Sequence, residues 1–179
     1  MRYFEMNADH HEKWVQFSHK EDMAHLVTLD ASTSTDCIPQ STLRINWIEG
    51  DDQEKKWLDM HMCSPVFSVL SLKAAECLEE FFEPNGFLIS TKGLNDNYTI
   101  YNVTTVITGA FDWNKSGIKG NHNHLSEINK AALYKEKIRD THIFKLAESR
   151  VDVFVSEIFK NKVEQCGLSG FIFEDVILL

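Results

Sequence analysis

His122 and His124 in "NHNH" stand two residues apart, the spacing that turns both rings to one side of an extended segment and lets them share a metal ion. Two ligands do not complete a site. Further ligands cannot be picked out, and the surrounding "WNKSGIKGNHNH" has the composition of a loop, so a solvated pair is the better reading. The cysteines Cys37, Cys63, Cys77 and Cys166 lie far apart without a CxxC, as expected of reduced, mostly buried thiols rather than a zinc site or disulfide framework. A cysteine nucleophile would need a paired histidine and an electropositive setting, neither of which the sequence places.

A second histidine group, Asp9, His10 and His11 in "ADHHEKW", matches a triplet used by metal-dependent phosphoesterases. Those enzymes also need further metal-binding aspartates, such as an Asp-x-Asp after a hydrophobic strand, and this chain has none; chance is the better reading. No P-loop, GxGxxG, GxSxG or HExxH occurs. The residues therefore point to no catalytic group, no metal and no cofactor. "NVT" at Asn102 fits a glycosylation acceptor, irrelevant for a chain expected in the cytoplasm.

Acidic side chains carry more information. The formal charge is −9, from 18 basic and 27 acidic residues, so the chain's field repels phosphate backbones and favours a basic protein partner over nucleic acid. Glu76, Glu79, Glu80 and Glu83 fall at i, i+3, i+4 and i+7 of a helical pattern, one like-charged stripe with no compensating lysine on its C-terminal side. Three of them sit in the later half, where the helix dipole favours cations, while Lys73 occupies the first turn. Either an external partner uses the stripe, or it is a solvated face. Glu49, Asp51, Asp52 and Glu54 form a second cluster between Trp47 and Trp57. Aromatic anchors beside charge resemble a binding hot spot, and the alternative is a solvent-facing turn whose tryptophans enter the core.

The elements that must position these groups are mostly short. "RYFEM" alternates like a strand, whereas "HHEKWVQFSHKEDMAHLV" does not choose between helix and irregular structure. "LDASTSTDCIPQST" reads as a loop, "LRINWI" as a strand and "EGDDQEKK" as an acidic turn. "SLKAAECLEEFFEPNG" is the clearest helix: Ser71 caps it, Ala74, Ala75, Leu78, Phe81 and Phe82 share a face, and Pro84 with Gly86 stops it. "GFLIST" and "YTIYNVTTVIT" read as an antiparallel hairpin around "KGLNDN". Ser126 is placed to cap a helix through "EINKAALYKEKI". "THIFKL" and "VDVFV" read as strands, Ser156 caps a last helix with Phe159, Val163 and Cys166 on one side, and Gly167 stops it. "GFIFEDV" then closes the sheet, with Phe171 and Phe173 on one face.

A chain of 179 residues can bury about 70% of its unfolded surface and needs no staples. The first residues, "MRYFEMNADHH", lack the apolar run of a signal peptide and no window approaches a membrane span, so a cytoplasmic protein without membrane contact is expected. The fold class read from these elements is α+β, an antiparallel or mixed sheet of about five to seven strands packed against two or three helices. Residues 1–179 read as a single domain, with 1–60 a variable N-terminal part.

In order and content, "VLSLKAAECLEEFFEPNGFLIS", "YTIYNVTTVITGAFDWNKS", "THIFKL" and "VFVSEIFKNKVEQCGLSGFIFEDV" resemble the bacterial immunity-protein family numbered eleven of polymorphic toxin systems, first filed as a domain of unknown function. The resemblance spans roughly Val66 to Val176. It implies an intracellular, non-enzymatic protein that binds and neutralises a cognate antibacterial toxin, a polymorphic toxin or secretion-system effector, in a tight complex. The toxin would be the product of an adjacent gene and present a basic surface; a homodimer is open. The family brings no catalytic residues to carry over. The residues nominated for contact are Trp47, Glu49, Asp51, Asp52, Glu54 and Trp57, then Glu76, Glu79, Glu80 and Glu83. The alternatives are a metal-dependent enzyme built on His122, His124 and His10 or His11, and a small-ligand module with its pocket between helix and sheet.

Overall fold

The computed structural model describes residues 1–9, 15–19, 21–22, 43–47, 57–63, 67–83, 85–93, 97–119, 127–149 and 151–179. Its first strand, β1 (Tyr3–Ala8), is the alternating "YFEMNA". Strands β2 (Val15–Phe17), β3 (Leu43–Trp47), β4 (Met60–Cys63), β5 (Phe67–Ser71), β6 (Gly86–Lys92) and β7 (Tyr98–Val103) close into a barrel in the order β2-β3-β6-β7-β5-β4. Closure rests on two parallel pairings, β3 with β6 and β2 with β4; the other contacts are antiparallel. β8 (Val106–Ile107), β12 (Ile143–Leu146), β13 (Val153–Ser156) and β14 (Phe171–Asp175) join β1 in a five-stranded sheet ordered β14-β1-β13-β12-β8. Two small ribbons complete the strands: β9 (Gly117–Lys119) with β10 (Glu127–Lys130), and β11 (Ala132–Leu133) with β15 (Ile177–Leu178). Three helices, α1 (Leu72–Cys77), α2 (Glu79–Phe82) and α3 (Glu157–Gln165), are described. The class is α+β.

Period-two alternation explains how sheet and barrel share a core. Along β7, Tyr98 and Ile100 point into the barrel with Val15, Leu43, Ile45, Phe67, Val69 and Ile89. Tyr101 and Val103, at the other parity, point outward and meet Phe4, Met6, Ile143 and Val155 of the sheet, together with Leu78, Phe81, Phe82, Phe159 and Val163 of the helices. The opposite face of the sheet packs Tyr3, Phe144 and Phe154 against Phe111, Leu133 and Ile138. β12 and β13 are thus buried on both faces. Truncating Phe144 or Phe154 to alanine would cost roughly 3–5 kcal/mol at such sites.

Local signals behave as expected at the helix ends. Ser71 Oγ accepts the Ala74 N–H at 3.1 Å, Ser156 Oγ accepts the Phe159 N–H at 3.3 Å, and Gly167 has φ +59°. The Leu72–Phe82 run is broken at Leu78, which leaves the helical region with φ −105° and ψ 7°. The expected long strand "YTIYNVTTVIT" also divides. Thr104 and Thr105 both donate their N–H to the Asn85 carbonyl, at 2.9 and 3.1 Å, and this turns the chain out of the barrel into β8. Asn102 is fully buried in β7, so its "NVT" acceptor is closed by the fold.

One expectation fails outright. "EINKAALYKEKI" forms β10, β11 and a turn rather than a helix. Its backbone is claimed from both sides: Ser116 Oγ accepts the Ala132 N–H, Ala132 O accepts from Asp112, Ala131 O from Ile177 and Leu133 O from Leu179. A helix would strip these buried groups of their partners, and that outweighs the propensity of Ala, Leu, Glu and Lys. Ser126 lies outside the described residues.

Glu5 is the costly residue of β1. It stands opposite Glu174 across the strand pair and near Asp152, and only Asn7 Nδ2 donates to it among the described residues, at 3.3 Å. Burial first, then the charge of Asp152, pushes its carboxyl up to about 7, with Glu174 adding to the rise. A raised folded value means the native state holds this proton more tightly. The associated stability is complete below about 4.5 and is lost as pH rises through about 7. Glu5→Gln is therefore expected to match the parent in thermal melts at pH 4 and exceed it at pH 8 by on the order of 1 kcal/mol, after discounting for a partly exposed group. Equal melting temperatures at pH 8 would contradict this assignment.

Candidate partner-binding surface

Of the nominated contact residues, Trp57 is described just before β4, and Glu76, Glu79, Glu80 and Glu83 lie along α1 and α2 or just beyond. Trp57 is 48% exposed, with its ring stacked on Tyr98 at 6.0 Å between centroids, and Tyr98 Oη donates to the Leu58 carbonyl at 3.0 Å. Of the two readings of this tryptophan, exposure favours the surface one. Trp47 lies in β3, while Glu49, Asp51, Asp52 and Glu54 lie outside the described residues, as do His10, His11, His122 and His124.

Asp59, two residues beyond Trp57, fixes this corner. Its carboxylate accepts Ser71 Oγ–H at 2.8 Å and both the N–H and Oγ–H of Ser169, at 2.9 and 3.0 Å. Lys73 Nζ approaches it at 3.8 Å and donates to the Gly167 carbonyl at 3.1 Å. Desolvation alone would raise this carboxyl, but the Ser169 and Ser71 hydrogen bonds and the Lys73 charge hold it below the usual range. The turn is fitted to its neighbour: Gly170 has φ +88°, and a Cβ there would lie 2.4 Å from the Met60 carbonyl oxygen. Two contacts across 110 residues thus set where α1 begins.

Glu76, Glu79, Glu80 and Glu83 are all exposed on α1 and α2 or just beyond. Two parts of the expected charge conflict are resolved by the fold. The break at Leu78 puts Glu79 and Glu80 into the first turn of α2, where anions are favoured, and Glu80 Oε1 receives Lys162 Nζ of α3 at 2.8 Å. A compensating lysine exists, but on another helix. Glu76, Glu79 and Glu83 make no ion pair among the described residues. Leu72 and Ile158, 47% and 49% exposed, add apolar area on α1 and α3 that the helical pattern did not single out. A groove of about 490 Å³ lies between α2 and α3, lined by Glu80, Phe81, His142, Ile158, Lys162 and Gln165 among others.

The buried thiol is unsuited to attack. Burial pushes Cys63 up to about 12, the opposite of what a nucleophile requires. What the surface offers is an exposed aromatic ring, a row of carboxylates and scattered apolar side chains, features that suit contact with a protein.

Residues 91–177 match the Immunity protein family (Imm11). This is the family that the sequence resembles. None of the curated proteins matches the chain. The Imm11 stretch opens in β6 and ends in β15, so it contains β7, α3 and four of the five sheet strands, with β1 supplying the fifth. Trp57 and the acidic α1–α2 segment precede it, while Ser169 and Lys162, which hold that segment, lie within it.

The clasp gives a direct expectation. Asp59→Asn should lower stability by about 2 kcal/mol, the scale of lost hydrogen bonds to a charged group. Asp59 has a depressed value, so its contribution is present above the unfolded carboxylate range and fades as pH falls through the folded value. Denaturant titrations should show the deficit at pH 7 and its shrinkage toward pH 3. A deficit independent of pH would mean that the charge is not what binds the clasp.

Proposed function

We propose that this protein neutralises a cognate antibacterial toxin, a polymorphic toxin or secretion-system effector, by forming a tight complex and performs no chemistry itself. The observation that carries the reading is the match of residues 91–177 to the immunity protein family. The toxin is the product of an adjacent gene, and the complex forms in the cytoplasm of the producing cell. A basic toxin surface is supported by the net charge of −9 and by the exposed Glu76, Glu79 and Glu83. Carboxylates steer the encounter, and a desolvated aromatic anchor such as Trp57 governs the dissociation rate.

Co-expression with the neighbouring gene should restore growth and yield a complex that survives purification. Replacing Glu76, Glu79 and Glu83 together by lysine should slow association about tenfold or more at low salt, with the difference narrowing near 1 M salt as screening shortens to about 3 Å. The same reversal at Glu49, Asp51, Asp52 and Glu54 tests the second cluster. Trp57→Ala should instead speed dissociation, by roughly thirtyfold for a hot spot worth about 2 kcal/mol. If both reversals leave the association rate untouched, electrostatic steering is wrong; if the neighbouring gene's product kills despite co-expression of this protein, the pairing itself is wrong.

A further inference from the structure

Cys77 closes α1 and Cys166 caps α3, and the two side chains are neighbours across the helix contact. Independent bridges bracket them. Lys73, one turn before Cys77, reaches the carbonyl of Gly167, the residue after Cys166, at 3.1 Å. Glu80, three residues after Cys77, holds Lys162, one turn before Cys166, at 2.8 Å. Cys77 also packs against the core that contains Leu78, Phe159 and Val163. Neither cysteine is free to swing away, and both remain partly accessible, unlike Cys63, which is sealed inside the barrel.

We propose that Cys77 and Cys166 are an oxidisable dithiol that closes to an intramolecular disulfide under a peroxide, locking α1 onto α3. One sulfur, as thiolate, attacks the peroxide O–O bond and becomes a sulfenic acid as water departs. The second sulfur then attacks that sulfenic sulfur, the S–S bond forms and a second water leaves. Two thiols and one hydrogen peroxide thus yield one disulfide and two waters. The neighbouring Cys77 side chain and burial raise the Cys166 thiol, while the Lys162 and Lys73 charges on either side favour the thiolate. Reaction is accordingly expected to need mildly alkaline conditions.

Closure ties together points far apart in sequence, so it removes much freedom from the unfolded chain and little from the native one. It also fixes the helix that carries Glu76 to the helix that carries Lys162, and so rigidifies the acidic face.

The test is to treat the reduced full-length protein with hydrogen peroxide at pH 8, digest it under non-reducing conditions and map the linkages by mass spectrometry. The expected result is a Cys77–Cys166 peptide from monomeric protein, Cys63 still reduced, a melting temperature raised by roughly 10 °C, and reversal by dithiothreitol. Cys77→Ser, checked for an unchanged melt under reducing conditions, should leave Cys166 trapped as a sulfenic acid that dimedone labels. Separate over-oxidation of the two cysteines without a linkage, a linkage to Cys37 or Cys63 or between chains, or a linkage that leaves the melting temperature unraised would each overturn the proposal.

Discussion

The start of the acidic helix depends on one carboxylate. Asp59 follows the aromatic Trp57, precedes β4 of the barrel, holds the N-cap serine of α1 and receives Ser169 from the turn beyond α3. The backbone repeats the same joint, since Ser71 N–H bonds to Asp59 O at 2.9 Å and Met60 N–H to Ser169 O at 3.1 Å. A partly buried carboxylate without those donors would be costly to keep charged. With them, it converts three separate chain segments into one corner. The position of the acidic helix relative to the sheet is a consequence.

The shared core sets the other constraint. Outward-facing Tyr101 and Val103 of the barrel lie in one apolar cluster with inward-facing strand residues of the sheet and with Leu78 and Phe159 of the helices. β1 is central to this although it comes from the N-terminal part, because it runs between β13 and β14. Its Phe4 packs edge-on to Phe173 at 6.2 Å. Strands from the Imm11 stretch therefore enclose a strand from outside it, and neither can bury its apolar face alone.

Legibility in the sequence followed the range of the interaction that decides each element. Ser71, Ser156 and Gly167 announce helix ends because a cap is settled within a few residues, and the β6–β7 hairpin is announced by alternation and a turn. Barrel closure is not, since β2–β4 and β3–β6 are parallel pairings with no local signature. "EINKAALYKEKI" misleads for the complementary reason: its composition favours a helix, but distant carbonyl and amide partners decide otherwise. At the surface, exposure of the glutamates was readable from pattern, whereas the sequence left Trp57 open between surface and core. The Asp59–Ser169 and Glu80–Lys162 contacts were not, because no spacing rule links residues so far apart.

That division has a functional consequence. The residues proposed for partner contact, Trp57 and the α1–α2 glutamates, lie outside the stretch that matches the family, while their anchors Ser169, Gly170 and Lys162 lie inside it. The anchors act through backbone, hydroxyl and charge at fixed points. Exposed positions between those points, such as Glu76 and Glu79, make no side-chain hydrogen bond or ion pair among the described residues and bury no core side chain. Substitution there changes what is displayed at a cost of a few tenths of a kcal/mol, whereas substitution at an anchor moves the helix itself. If the proposed surface is the one a partner meets, a scaffold built this way keeps recognition and stability on separate residues, and specificity for a different partner can be reached without repacking the fold.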